Sequence, residues 1–486
     1  MGISNALNNA YTGLVGASRL ADTVSNNVAN AMTPGFGRRV TELSSLALGG
    51  YGSGVRVTGT YRTENAFVTA ERRAMDAATG AATTTSGAYL RIVDALGEPG
   101  EAGALATRAS GLETKLMAAV ASPQSLTGLT DAVTAARQLA EAVNGVAAEN
   151  QRLRTEADAE IARQVGQVND ALKSVKDLND KITTLQMKGE DVSGLQDERD
   201  RVIDGISSIV PVRVVNRDNG QVALYSANGG ALLDGRVWEL SFQQGPNVIT
   251  ADMTLGAPLG GLMQDQGAAG PTAVAAGTGT GAFDGGSLGA LFEIRDKIVP
   301  GVDAEMDRYA AELIDRFQSL AAAGSLDASG DGLFVDAAGT GGVGLAGRLK
   351  VNAAVDPNQG GAAWRLRDGL SATAPGAEGF GDYLQGLADA MSTARAPGGW
   401  TTQNAANDAA TMASEIASFF AGRSATAEDT QAYLAARQTT LADSEANAIG
   451  VDTDKELQNL ILIEQAYAAN ARVLATIDDL LKLLLE

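Results

Sequence analysis

The sequence predicts a mainly α-helical protein with β insertions, and three observations lead to this fold class. Both ends of the chain carry apolar residues at alternating spacings of three and four, which is typical of helices that pack as a coiled coil. Much of the first half repeats its apolar residues with the period of an amphipathic helix. Two glycine-rich stretches further along contain short alternating segments and turn sequences, which indicate strands.

The first helix begins close to the N-terminus and carries one apolar stripe. It is predicted to end before Thr33-Pro34, because proline fixes its own φ and disfavours the α conformation of the preceding residue. Residues 46–61 are then predicted to be extended, with Val55 and Val57 alternating with polar residues. The stripe consists of Ile3, Leu7, Ala10, Leu14, Ala17, Ala21, Val24 and Val28.

The last helix carries two apolar stripes, so it needs more than one neighbour. Chain ends also fray unless they are held in place. We therefore expect assembly with other subunits to bury these stripes, the alternative being an ordinary hairpin core within one chain. The main stripe consists of Leu460, Ile463, Tyr467, Asn470, Leu474, Ile477, Leu481 and Leu484. The second consists of Leu462, Ala466, Ala469, Val473, Thr476, Leu480 and Leu483.

The expected assembly interface combines residues of both terminal helices. Asn470 lies inside the main stripe, where a polar residue is expected to set the register of the helices at a cost in stability. The candidate interface residues are Ile3, Leu7, Leu14, Val24, Val28, Leu460, Ile463, Tyr467, Asn470, Leu474, Ile477, Leu481 and Leu484.

Between the termini, long helices alternate with strand insertions. Residues 131–187 predict one continuous helix of about 85 Å, which indicates an elongated molecule. Asn219-Gly220 predicts a hairpin turn between two short strands, and a helix is expected at 288–323 with a kink at Pro300. Residues 267–286 are predicted to be a loop.

These elements predict four parts, with the termini folded back together. The parts are a terminal coiled-coil inner domain (1–60 with 440–486), an elongated helical middle domain (61–210 with 286–325 and 401–439), a β-hairpin subdomain (211–285) and an outer glycine-rich, β-rich domain (326–400).

Composition excludes several classes of function. The net charge of -21 disfavours nucleic acid and anionic membranes as partners, because both are polyanions. Without cysteine or histidine there are no thiol nucleophiles, imidazole bases, disulfides or zinc sites built from these residues. The first residues lack a basic segment followed by an apolar one, so no Sec signal peptide is expected, and no apolar run approaches the ~20 residues of a membrane helix.

Three motifs suggest chemistry, and each has a simpler interpretation. Residues 342–347 match G-x-G-x-x-G but precede a predicted strand, which favours a flexible loop over a dinucleotide site. Residues 327–332 resemble the start of a calcium loop, but Ala338 stands where a bidentate Glu is needed, which favours a turn. The acidic run 197–200 is predicted to be a solvated helix face. We therefore expect no catalytic residue, cofactor or metal site, and no enzyme.

The segment after the first helix contains a distinctive set of residues, Asn30, Thr33, Pro34, Gly35, Phe36 and Arg38. This pattern resembles a signature of bacterial flagellar rod, hook and hook-associated proteins, in which tyrosine is frequent at the position of Phe36. Residues 465–473 resemble the matching C-terminal segment of this axial superfamily.

Three interior segments narrow the resemblance to one family: residues 195–204, the turn at 218–220 with Gly229-Gly230, and residues 286–296. They resemble the hook-associated protein 1 family of hook-filament junction proteins, whereas residues 339–400 match no family pattern.

The resemblance implies a structural component of the bacterial flagellum that forms the junction ring between hook and filament and is needed for filament assembly. It also implies a secreted protein, exported unfolded through the flagellar type III channel, that lies in the extracellular flagellum. The implied partners are further copies of the chain, the hook protein, a second hook-filament junction protein, and an export chaperone at the C-terminal helix. The alternatives are another axial protein such as the hook protein, or a secreted calcium-dependent adhesin or enzyme.

Overall fold

The computed structural model describes residues 2–48, 51–98, 100–320, 325–396, 398–403 and 405–485. Helices predominate among them and strands form short insertions, which confirms the predicted fold class. The chain divides into two compact units. The terminal unit comprises Met1–Thr79, Gln167–Glu239 and Leu434–Glu486, and the second unit comprises Gly80–Gly166 and Leu240–Tyr433. No helix in the described part of the chain is both long and apolar enough to cross a lipid bilayer.

The terminal unit begins with helix α1 and a long β-hairpin. Helix α1 spans Ile3–Ala29 and ends before Thr33-Pro34, as predicted. Strands β1 (Arg39–Leu48) and β2 (Tyr51–Arg62) pair in antiparallel fashion, so extended structure begins earlier than the predicted residue 46.

Side chains of α1 hold the hairpin at both of its ends. The amide of Asn8 donates to the carbonyl of Ser53 at 3.0 Å. Near the other end, Asn27 donates to the carbonyl of Arg39 at 2.8 Å and accepts the Arg39 N–H at 2.9 Å. An isolated two-stranded hairpin is marginally stable in water, so α1 supplies the support that the hairpin needs.

Five further helices lie wholly or partly in the terminal unit. Helix α2 spans Ala66–Leu96, and α4 spans Leu126–Met187, which confirms the long helix predicted for 131–187. Helix α5 spans Ser193–Ser207, and α10 and α11 span Ala409–Ile449 and Thr453–Leu485. Helix α3 (Leu105–Ala121) lies in the second unit.

A four-stranded antiparallel sheet with the order β3-β4-β5-β6 completes the terminal unit. The predicted turn joins β3 to β4, and Asn219 and Gly220 adopt φ values of 56° and 71°, which a left-handed turn requires. The strands are β3 (Val212–Asn216), β4 (Val222–Ser226), β5 (Ala231–Asp234) and β6 (Arg236–Val237).

The second unit contains short strands between its helices. The sheet β11-β10-β7 includes a strand within 267–286, where a loop was predicted. The strands of this unit are β7 (Leu240–Phe242), β8 (Thr254–Leu255), β9 (Pro258–Leu259), β10 (Leu262–Asp265), β11 (Pro271–Ala273), β12 (Phe334–Asp336) and β13 (Leu349–Val351).

The helix expected at 288–323 is present but is built differently from the prediction. Helix α6 (Ser287–Glu293) continues through a π-helical turn at Ile294–Ile298 into α7 (Val299–Gln318). Pro300 lies inside this continuous helix and has no N–H to donate to the preceding turn, and the π-helical turn directly before it is the irregularity that accompanies the proline. Residues 326–400 also contain two helices that were not predicted, α8 (Arg365–Asp368) and α9 (Asp382–Ser392).

Long apolar faces form the core of the second unit. At its centre Arg316, which is fully buried, donates to the carbonyls of Ala390, Thr393 and Asn407 at 2.7–3.0 Å and so joins α7 to α9 and to the segment before α10. The fully buried apolar side chains include Ile92, Leu96, Leu112, Leu116, Leu139, Val143, Val146, Met306, Leu313 and Phe317.

Candidate functional site

The two terminal helices pack against each other within the chain. They lie close together at Gly13, where an added Cβ would lie 2.8 Å from the side-chain amide of Asn470. A side chain at position 13 would therefore require Asn470 to move. The position of Asn470 in this contact supports its expected role in setting the register, which remains a proposal.

The structure brings part of the predicted interface together inside the chain. Val24 and Ile477 are only 6% exposed each. Ile3, Leu7, Tyr467 and Leu481 remain exposed, and the side chain of Leu484 lies outside the described residues. The half-buried members are Leu14, Val28, Leu460, Ile463, Asn470 and Leu474. The hairpin alternative therefore accounts for the burial of Val24 and Ile477 but not for the exposed members of the interface.

The second stripe of α11, by contrast, is uncovered along its whole length. Its large members are 46–70% exposed, with Leu483 the most exposed. Single exposed leucines are common on protein surfaces, but a row of them along one helix face typically marks an interaction surface. We call this set the outer stripe: Leu462, Ala466, Ala469, Val473, Thr476, Leu480 and Leu483.

Helix α1 has an exposed row of its own. Tyr11 is 61% exposed and Val15 is 42% exposed, although the sequence analysis did not select either residue. Their spacing of four from Ile3 and Leu7 was visible in the sequence, but the neighbouring heptad stripe obscured it. We call this set the N-terminal stripe: Ile3, Leu7, Tyr11 and Val15.

The signature residues form the connection between α1 and the hairpin. The Asn30 amide donates to the Asn26 carbonyl at 2.9 Å, and the Thr33 hydroxyl donates to Asn30 Oδ1 at 3.3 Å. Gly35 follows exposed Pro34 and has a φ of 75°. The ring of Phe36 lies 4.5 Å below the guanidinium of Arg39.

Arg38 connects this segment to the C-terminal part of the chain. Its Nε donates to Oε1 of Glu456 at 2.6 Å, and its backbone N–H donates to the carbonyl of Ile449 at 2.9 Å. Glu456 is 1% exposed, and Asn27 donates to its second oxygen at 3.3 Å. Sequence reasoning missed Glu456 and Asn27, because Glu456 lies 418 positions from Arg38 and 429 positions from Asn27 in the sequence.

The prediction of a solvated face on α5 is wrong for Asp197 and Arg199. Both are buried, at 4% and 5% exposure. Asp197 accepts hydrogen bonds from the Gly37 N–H at 3.2 Å and from Arg39 at 2.9 Å, and forms an ion pair with Arg62 at 2.8 Å. These contacts compensate the buried charge, which the helical spacing alone does not reveal. The exposed Glu198 pairs with Arg201, as a solvated face would.

The ionic contacts continue along α5 toward α2. Asp200 pairs with Arg62 at 2.5 Å and with Arg73 at 3.2 Å. Burial alone would raise the pKa of Asp200, but Arg62 and Arg73 together outweigh it and hold that pKa below its ordinary value. We call the whole set the arginine network: Arg39, Arg62, Arg72 and Arg73 with Asp197, Asp200, Asp204 and Glu445.

The glycine-rich loop at 342–347 already has carboxylate partners for its backbone. The N–H groups of Gly344 and Ala346 donate to Asp307 at 2.7 and 2.8 Å, and that of Gly341 donates to Asp336 at 2.8 Å. The loop then enters β13, as predicted. A phosphate would have to displace these carboxylates, so the loop interpretation is supported.

Asp327 likewise closes a turn. Its carboxylate accepts hydrogen bonds from the N–H groups of Ser329 and Asp331 at 2.7 and 3.0 Å and from Asn352 at 2.8 Å. Across the described ranges, no cluster of three or more acidic side chains is arranged to hold a metal ion.

Comparison with known proteins places the chain in a family. The model of the flagellar hook-associated protein FlgK helical domain matches residues 90–334, and that of the flagellar basal body rod FlgEFG protein C-terminal region matches residues 447–486. The flagellar hook junction protein FlgK from Burkholderia pseudomallei gives a TM-score of 0.43 at 18% identity, covering 55% of this chain and 46% of that one.

Flagellar hook-associated protein 1 from three bacteria is similar in sequence. The Salmonella typhimurium protein is 31% identical over 252 residues, covering 48% of this chain and 43% of the relative. The Escherichia coli protein is 30% identical over 249 residues, covering 48% of this chain and 44% of the relative. The Bacillus subtilis protein is 27% identical over 252 residues, covering 45% of this chain and 48% of the relative. The chain thus spans less than half the length of these curated relatives. Because the helical-domain match covers residues 90–334 of 486, the chain belongs to the family of flagellar hook-associated protein FlgK.

Proposed function

We propose that this chain is a structural, non-enzymatic component of the bacterial flagellum that forms the junction between hook and filament and is needed for filament assembly. Membership of the FlgK family supports this function. The observation that carries the proposal is the exposed outer stripe on a terminal helix that packs against α1 with its other face only in part.

Neighbouring copies of the chain cover the outer stripe and the N-terminal stripe in this proposal. Fully burying a leucine or valine side chain stabilises an assembly by about 1.5–3 kcal/mol. Four such side chains lie in the outer stripe, which is enough to offset a substantial part of the entropy lost on association. The Arg38–Glu456 contact connects α11, which presents the outer stripe, to the segment that follows α1.

The proposed partners are further copies in a ring, the hook protein and a second hook-filament junction protein. The proposed location is the extracellular flagellum, reached through the flagellar type III channel. Before assembly, the C-terminal helix offers its apolar face to an export chaperone, which would bind residues 474–484 as an amphipathic helix in a groove.

A deletion strain of the source bacterium tests this function. Electron micrographs are expected to show hooks without filaments, with flagellin released into the medium, and the wild-type gene is expected to restore filaments. Filaments of normal length on the hooks of the deletion strain would contradict the proposal.

A further inference from the structure

Asp303 is a buried carboxyl group that the proposed assembly does not use. It lies on α7 in the second unit and is 8% exposed. Its Oδ1 accepts a hydrogen bond of 2.7 Å from Nδ2 of Asn150, which lies on α4 and is fully buried. One polar contact in the core therefore joins the two helices.

Among the residues that the structure describes, no group donates a hydrogen bond to the other oxygen of either side chain. Oδ2 of Asp303 and Oδ1 of Asn150 are both buried without a hydrogen-bond partner. A buried acceptor left unpaired is costly, and a buried unpaired charge costs more. One proton on Asp303 Oδ2, donated to Asn150 Oδ1, would satisfy both oxygens and remove the charge.

Arg154, one turn beyond Asn150 on α4, does not provide the missing bond. Its guanidinium donates instead to three backbone carbonyls, those of Thr250, Met253 and Arg295, at 2.6–3.0 Å. Its positive charge acts on Asp303 only from a distance.

Asp307, one turn beyond Asp303 on α7, carries a like charge. Burial raises the pKa of Asp307, and the N–H groups of Gly344 and Ala346 that its carboxylate accepts, together with the nearby Arg348, oppose this rise only in part. Burial raises the pKa of Asp303 to about 6; Asp307 acts in the same direction, while Asn150 and Arg154 oppose it.

We propose that Asp303 and Asn150 form a proton-dependent joint between α4 and α7. In the protonated state two hydrogen bonds close the joint, and in the ionised state one hydrogen bond remains beside a buried charge.

The sign of the pH dependence follows from the direction of the shift. The folded protein binds this proton more tightly than the unfolded chain does, because the ordinary pKa of Asp is about 3.9. The stabilisation is therefore complete below about pH 4 and is lost as the pH rises to about 6. At neutral pH the joint is in its weaker state.

The test compares the wild-type chain with the variant Asp303→Asn at about pH 4.5 and about pH 7.5. The new amide can donate to Asn150 Oδ1 without carrying a charge, so it imitates the protonated form. We expect the variant to shift the unfolding equilibrium toward the folded state by up to about a hundredfold at the higher pH, because the pKa of Asp303 differs by about two units between the folded and unfolded states. At the lower pH the shift should be much smaller. Asp315→Asn, an exposed position on the same helix, is the control and should show no gain at the higher pH.

Carbon-13 NMR of the Asp303 carboxyl group in the folded protein provides a second readout, and a midpoint near pH 6 is expected. A midpoint near pH 4 would overturn the proposal. An Asp303→Asn variant that loses the same stability at both pH values would also overturn it, because the carboxylate would then be the preferred buried form.

Discussion

Single side chains hold the signature segment in place, and one of them is the buried Glu456. Removing one partner of a buried charged pair leaves the other charge uncompensated and lowers folding stability by about 3–5 kcal/mol. The loss is expected to be smaller for Glu456, because the side chain of its partner Arg38 is 34% exposed. We expect Glu456→Ala to reduce amide protection in the first turns of α11 in hydrogen exchange. Glu464→Ala, an exposed position on the same helix, is the control. Unchanged protection in the Glu456 variant would show that Arg38 does not hold the C-terminal segment.

Asp200 in the arginine network gives the terminal unit a pH dependence opposite in sign to that of Asp303. The lowered pKa of Asp200 means that its ionised form stabilises the fold above the ordinary pKa, and this contribution is lost as the pH falls below about 4. Hydrogen exchange between pH 3 and 6 should show α5 losing protection toward the acid end, and Asp200→Asn should lower protection above pH 4 and remove that dependence. A wild-type α5 equally protected over this range would contradict the prediction.

Residue-scale contacts were the least predictable from the sequence. The burial of Asp197 depends on arginines at positions 39 and 62, which only the folded hairpin brings to α5. Helical spacing reports which residues share a face, but it does not report what covers that face.

At the scale of elements, periodicity predicted the helices well because their apolar faces are long. The predicted helix at 131–187 is part of α4, and the Asn219-Gly220 hairpin is present. Helix α9 was missed, although its buried residues 383, 384, 387, 388 and 391 have helical spacing. The helical pattern of α9 extends over only about three turns. The surrounding glycine-rich sequence favours a prediction of strands and loops.

The two stripes of α11 were predicted, but which of them packs against α1 was not. Val473→Asp with Leu480→Asp places charges on the exposed outer stripe, so we expect the purified protein to melt like wild type. Ile477→Asp buries an unpaired carboxylate between α1 and α11 and should unfold the terminal unit. Circular dichroism during heating distinguishes the two, and equal destabilisation would mean that both stripes are packed within one chain.

At the scale of the whole molecule, the order of helices and insertions predicted that the two ends meet. They do so through α1, α11 and the Arg38–Glu456 contact. The four-part division and the elongated shape remain predictions, because apolar periodicity does not specify how insertions pack on long helices.

The central claim is that the outer stripe joins copies of this chain into the flagellum. The most direct measurement is electron microscopy of the deletion strain expressing the Val473→Asp, Leu480→Asp variant, with the exported variant recovered from the medium. Asp478→Asn with Lys482→Gln, an exposed ion pair on the same helix, is the control and should restore filaments. The account predicts bare hooks and released flagellin for the outer-stripe variant, whereas filaments of normal length on those hooks would contradict it.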